Sequence, residues 1–361
     1  MENIYQFNII NKVNINEVTK DNNNSILLIK INPNIQNQFI IVNSNFIMYY
    51  LQINKENYNI QLIGEYKEHK ERINDIAFFV SNSSPWKESF VSGDNEGLIL
   101  IWNSGSKNSS YKISTNGKGQ VLTLDTKEFL LAAGYGNIVS IWDTRKMKQI
   151  GKSSFAHSEL VRYVKFYEIY LLTAGEDNLI NIFNLKNTDI DSKEINKNLL
   201  KQDNVEATIN LGQSILNVSP LQSGYISAIT TVNTFHVISL ESCTSQYEFD
   251  AKNEELKINY ILESYFNQNS KNIELLVGSF QGRICLINIF IDNKGNGKYN
   301  IKYILDTNIE QMFNSAGRFS EKLYILVSDT GLIYLLSIDN QNKYINNNNN
   351  NINNKNDMTD Y

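Results

Sequence analysis

One pattern recurs from end to end of this chain: a turn residue followed by an almost unbroken apolar strand. Gly97 precedes Leu98-Ile99-Leu100-Ile101-Trp102-Asn103, Asn137 precedes Ile138-Val139-Ser140-Ile141-Trp142-Asp143, and Asn178 precedes Leu179-Ile180-Asn181-Ile182-Phe183-Asn184. Gly282 and Gly331 introduce two further copies, Arg283 to Asn288 and Leu332 to Ser337. Weaker copies follow Asn45, as Phe46 to Leu51, and Thr234, as Phe235 to Leu240. The seven copies stand 40 to 56 residues apart. Gly and Asn at the turn supply the positive φ that a tight hairpin needs.

A period in the forties is that of stacked four-stranded blades. Apolar residues at nearly every position, rather than at alternate ones, mean that both faces of each sheet are covered. A second β-rich run precedes each copy, for example Ser89 to Ser92 and Leu323 to Leu326. Alternating strands such as Ile73 to Phe79 and Val161 to Phe166 fit the innermost position. More polar runs such as Ile60 to Tyr66 and Lys298 to Ile304 fit the outermost. The expected fold is all-β: a single seven-bladed β-propeller over residues 5–340.

The last copy has no outer strand of its own, because the chain runs into an Asn-rich tail, residues 341–361. Such a tract cannot bury apolar surface, so it is expected to be disordered. The segment Tyr5 to Val13 is a spare strand that can take the vacant place and close the ring, removing an open edge. Deleting residues 1–14 is therefore expected to cost more stability than deleting the tail after Asn346. Of two polar interruptions, Lys186 to Asn204 is expected as a surface loop or a short helix, and Asp292 to Lys298 as a turn rich in Gly, Asn and Lys.

The residues of the second and fourth copies resemble those of the WD-repeat family. That family's hallmark is His before the first strand, Ser or Thr in the second, Asp at the turn and Trp-Asp ending the third. His69, Ser92, Glu96 and Trp102-Asn103 follow this order, with Glu96 in the place of Asp. His157, Thr173, Asp177 and Phe183-Asn184 follow it too, with a Phe that cannot donate where Trp would. Trp142-Asp143 is the one literal WD dipeptide. The resemblance implies hydrogen-bonded tetrads that clamp two blades, the others being held by apolar packing. Within the family, one branch is resembled most closely. That resemblance is carried by Trp142-Asp143-Thr144-Arg145, by Ala156 to Asn184, by Thr234-Phe235-His236 and by Gly278 to Ile284.

The chemistry-bearing residues are few. Three histidines exist: His69 and His157 take the structural slot before a blade, and His236 falls within a strand. No His/Cys/Asp cluster has metal-ligand spacing, no glycine-rich loop precedes a helix, and no nucleophile has an oriented base. An enzyme is not expected, nor a cofactor or a metal. Cys243 and Cys285 form no disulfide framework, no leader or membrane span is visible, and the expected setting is the cytoplasm or nucleus.

The expected function is that of a scaffold binding other proteins. Its contacts are expected on the face that carries the approach loops and turns, from residues such as Glu71, Arg72, Glu96, Glu159, Arg162 and Glu176. Trp86 is expected to cap its blade. Two alternatives stand beside this. Trp142, Asp143 and Arg145 resemble the W-D-x-R box by which substrate receptors dock on the adaptor of cullin-type ubiquitin ligases. A nucleic-acid-associated assembly factor is the other. Against it stand 33 Lys plus Arg and 38 Asp plus Glu, a formal charge of −5, where phosphate binding calls for a basic surface.

Overall fold

A computed structural model describes residues 4–20, 25–80, 88–186, 198–221, 224–252, 257–267, 272–291, 297–307 and 311–338. They form seven sheets arranged as the blades of a propeller, antiparallel but for one short parallel pairing at the edge of blade 6. Blade 1 comprises Ile26–Ile31, Gln38–Asn43, Met48–Ile53 and Ile60–Tyr66, from the axis outward; blade 2 comprises Ile73–Phe78, Ser89–Asp94, Leu98–Asn103 and Tyr111–Ser114. Blade 3 runs from Val121 to Ser153, blade 4 from Val161 to Asn210, blade 5 from Ile215 to Asp250 and blade 6 from Tyr260 to Asp306. Blade 7 supplies three strands, Phe313–Ser320, Leu323–Ser328 and Leu332–Ser337.

The fourth strand of blade 7 is N-terminal, Asn8–Asn14, antiparallel to Leu332–Ser337. Closure therefore joins the two ends of the folded ring, as the unfilled edge demanded. An additional pairing was not legible in the sequence. Tyr5–Gln6 runs parallel to Gly297–Asp306, the outer strand of blade 6, with Tyr5 opposite Tyr303. The first strands thus strap two blades together. Between them Phe7 is 2% exposed, its ring 5.5 Å from that of Tyr303 and 6.0 Å from that of Tyr324.

The core is distributed. Among the described residues seven apolar clusters occur, each drawn from two neighbouring blades, so every interface around the ring has its own. This is why the third strands are apolar throughout: Ile99 and Ile101 face blade 3 while Leu100 and Trp102 face blade 1. The interruption in blade 4 contributes to one of them. Leu199 and Leu200 are buried against blade 3, and the short 3-10 helix Gln202–Asn204 comes next. The weaker first copy begins two residues later than its sequence suggests, at Met48, because Phe46 sits in the turn at φ 62°. The Asn-rich tail, Trp86 and most of both polar interruptions lie outside the described residues.

Side chains on the innermost strands tie one blade to the next. Asp75 accepts from the Leu124 amide at 2.8 Å and from Lys30 at 2.9 Å; Asp125 accepts from the Phe166 amide at 2.7 Å and from Lys165 at 2.9 Å. Asn217 donates to Glu263, and Asn314 donates to the carbonyl of Ile26. Burial pushes the Asp125 and Glu263 carboxyls upward against these donors. In every blade the first pair of strands carries a register shift near its start. Such a bulge re-aims the extra residue. At Asn74 it is turned onto the next blade, bonding the Val121 carbonyl, and at Arg162 onto the rim.

Candidate interaction faces

Blade 2 contains a complete relay. Trp102 Nε1 donates to Ser92 Oγ at 2.8 Å, Ser92 lies 2.6 Å from His69 Nε2, and His69 Nδ1 lies 2.7 Å from Asp94 Oδ2. The acid is Asp94, not Glu96, which corrects the reading from sequence. Asp94 ends its strand buried, and its second oxygen accepts the Glu96 and Leu98 amides at 3.1 and 2.9 Å. One carboxylate thus holds both the imidazole and the turn. Glu96, at the tip of that turn, points to solvent.

Blade 4 reaches the same end from the other position. Asp177, at the turn, contacts His157 Nδ1 at 3.0 Å and accepts from the Ser158 amide, while Thr173 Oγ1 lies 2.9 Å from Nε2. The residue matching Asp94 is Gly175. A Cβ there would come within 2.9 Å of both Asp177 Oδ1 and His157 Nδ1, so the imidazole leaves room for one acid. Burial alone would raise the Asp177 carboxyl. The bonds from His157 and from the Ser158 and Leu179 amides prevail and hold it below the usual carboxylate value. Phe183 donates nothing, and Asn181, which the sequence did not single out, bonds the Ala156 carbonyl at 2.6 Å and accepts from Thr208.

The other blades are not held by apolar packing alone, which is a second correction. In blade 5, the buried Thr230, Thr234 and His236 form a connected group with the half-buried Gln213, His236 Nε2 lying 3.0 Å from Thr234 Oγ1. Desolvation lowers the pKa of His236. In blade 1, Asn43 Oδ1 accepts the Asn45 and Ile47 amides, and in blade 6 Ser279 Oγ does the same for Gln281 and Arg283. Short polar side chains satisfy these turns locally, in forms too varied to be found by a fixed motif.

The relays set the face above them. Arg72 and Glu159 are exposed beside the relay loops, Glu71 is partly exposed, and Arg162 is paired with Glu176. Across the face, over blades 5, 6 and 7, the exposed residues include Val232, Phe280 and Met312.

The opposite face carries Trp142-Asp143-Thr144-Arg145. Trp142 packs into the cluster between blades 2 and 3. The Asp143 side chain is 0% exposed and binds Arg145 through Oδ1 to Nε at 3.1 Å and Oδ2 to Nη2 at 2.9 Å. The guanidinium lies 3.5 Å above the Phe129 ring. Burial would raise the Asp143 carboxyl, but the Arg145 bonds outweigh it and leave it lowered. Asp143 is therefore turned inward, and of the charged pair only the guanidinium reaches the surface.

Among the described residues, no group of three or more His, Cys, Asp or Glu could hold a metal ion.

No family model matches the chain. It is 24% identical over 236 residues to the WD repeat-containing protein 89 homolog of Dictyostelium discoideum, covering 62% of this chain and 61% of that protein. It is 29% identical over 198 residues to the WD repeat-containing protein GTS1 of Arabidopsis thaliana, covering 52% of this chain and 48% of the relative. The matches thus span about half to three-fifths of each relative. Among solved structures, the WD40 β-propeller domain of Doa1 superposes with a TM-score of 0.66 at 11% identity, covering 92% of this chain and 98% of that one.

Proposed function

We propose that this chain, a seven-bladed propeller of the WD-repeat type, serves as a non-enzymatic scaffold that binds other proteins on the face above its two His relays. The observation that carries this is a division of labour around the relays. Asp94 and Asp177 are consumed in clamping the loops, while Arg72, Glu96 and Glu159 project from those clamped loops as exposed charges. Fixed loops on a stitched ring lose little conformational freedom when a partner docks, so more of the contact energy survives as affinity. Similarity to WD-repeat proteins supports the general role. The test compares complexes recovered on the tagged full chain with those on Arg72→Glu/Glu96→Lys/Glu159→Lys. A stoichiometric partner that survives gel filtration on the first and is lost from the second supports the reading. A chain that stays monomeric in cross-linked extracts, or a partner indifferent to the triple variant, refutes it.

A second reading has one observation in its favour. Arg145 is held over the Phe129 ring by a buried carboxylate with about a third of its side chain open, a preorganised cation at the surface of the turn. Docking on a cullin-ligase adaptor would then rest on Arg145, with Asp143 orienting it. Arg145→Ala should abolish binding to the purified adaptor while the fold is kept, and undiminished binding would sink the idea.

A further inference from the structure

Phe280 is 58% exposed, the most open large apolar side chain among the described residues. It stands at the tip of the turn Ser279–Gly282 in blade 6, on the same face as the His relays. The matching turn positions in blades 2, 4 and 7 hold Asn95, Glu176 and Asp329, all polar. Nothing in the turn itself calls for an aromatic ring there: Gly282 supplies the positive φ, and Ser279 Oγ caps the turn amides.

The ring is nevertheless held in place. Asn259 accepts the Phe280 amide at 3.2 Å, and the Tyr260 ring lies 5.6 Å away. Tyr260 is itself fixed, because its hydroxyl accepts the Phe313 amide at 3.0 Å and donates to the Ser279 carbonyl. Next in the chain to Phe313 is Met312, 38% exposed. Its amide donates to Asp329, an exposed carboxylate that joins no ion pair among the described residues. An apolar platform and an unneutralised carboxylate thus sit side by side on loops of blades 6 and 7.

We propose that this patch anchors an extended peptide segment of a partner protein, a large apolar side chain packing on Phe280 and Met312 while an adjacent Lys or Arg pairs with Asp329. The inference rests on the scaffold reading and names the chemistry of the docking segment. An aromatic anchor ringed by polar groups is the arrangement in which a few residues dominate binding. The carboxylate selects for a cation, since an acidic neighbour would be repelled.

The test uses the full-length protein against a display library of random short peptides. Enriched sequences should pair a large apolar residue with a neighbouring Lys or Arg. Phe280→Ser should weaken them by about tenfold or more, and Asp329→Asn should erase the basic preference while apolar selection persists. Both positions are exposed, and unchanged thermal unfolding of the variants checks the fold. Peptides that bind Phe280→Ser as well as the parent overturn the anchor and leave the scaffold reading standing, as does a library that yields no enrichment while the partner lost from the charge variant is still recovered. Concentration-dependent dimerisation of the parent, abolished by Phe280→Ser, would make the occupant a second copy of this chain and overturn the peptide assignment.

Discussion

Asp94 Oδ2 lies 2.7 Å from His69 Nδ1, so the acid that clamps blade 2 comes from the end of a strand rather than from the tip of the following turn. Two residues on, Glu96 is exposed. Asp94→Ala should therefore lower stability by about 2–3 kcal/mol, since it removes charge-assisted bonds to His69 and to the turn amides together. Glu96→Ala should stay within about 0.5 kcal/mol. Urea unfolding of the two variants measures the contrast, and equal losses would return the role to Glu96.

Blade 4 should confer acid sensitivity. The Asp177 carboxyl is held below its ordinary value, so the unfolded chain takes up its proton more readily than the native one. Its contribution is complete above the ordinary carboxylate pKa of about 3.9 and is lost as pH falls through the lower native value. The stability difference between the parent protein and Asp177→Asn should be largest near neutrality and shrink below about pH 4. A difference that stays constant down to acid pH would mean that the His157 contact does not stabilise the ionised form.

The N-terminal strap offers a test of closure. Phe7→Ala should cost about 3–5 kcal/mol, the usual loss for a buried aromatic ring. Deletion of residues 1–14 should do more, because it also opens the edges of blades 6 and 7 and strips the partner strand from Leu332–Ser337. Calorimetry of the two proteins checks the order; a deletion protein with the parent's melting temperature would exclude this route of closure.

The side-chain bonds between innermost strands predict coupling between blades. Asp75→Ala removes the acceptor for Leu124 and the partner of Lys30, for an expected loss of about 2–3 kcal/mol, while Asp75→Asn keeps a neutral acceptor and should lose about 1 kcal/mol. Combined with Asp125→Ala, Asp75→Ala should show non-additive losses, since Asp75 holds the amide of Leu124, the residue next to Asp125, and Asp125 in turn holds blade 4. Strict additivity in a double-mutant cycle would show the bonds acting independently.

The ring itself was legible in the sequence for a physical reason. A blade covered on both sides must be apolar at successive positions, and a tight hairpin favours Gly or Asn at its positive-φ position. Leu98–Trp102 after Gly97 and Leu332–Leu336 after Gly331 record both demands locally. Even closure could be read, because a missing outer strand at one end and a spare strand at the other leave one economical solution.

What only the tertiary structure decided are relations between segments distant in the chain. Whether Asp94 or Glu96 meets His69 depends on where the approach loop sets the imidazole above the turn. In blade 4, Gly175 and Asp177 answer the same demand the other way round. The parallel pairing of Tyr5 with Tyr303, the bonds of Asp75 and Asp125 to the next blade, and the nearness of Phe280 to Met312 and Asp329 leave no local periodicity. Hydrophobic spacing and turn chemistry are properties of adjacent residues, and they wrote the blades into the sequence. Hydrogen-bond partners and exposed patches depend on how loops from different blades come to rest together, which packing around the closed ring determines.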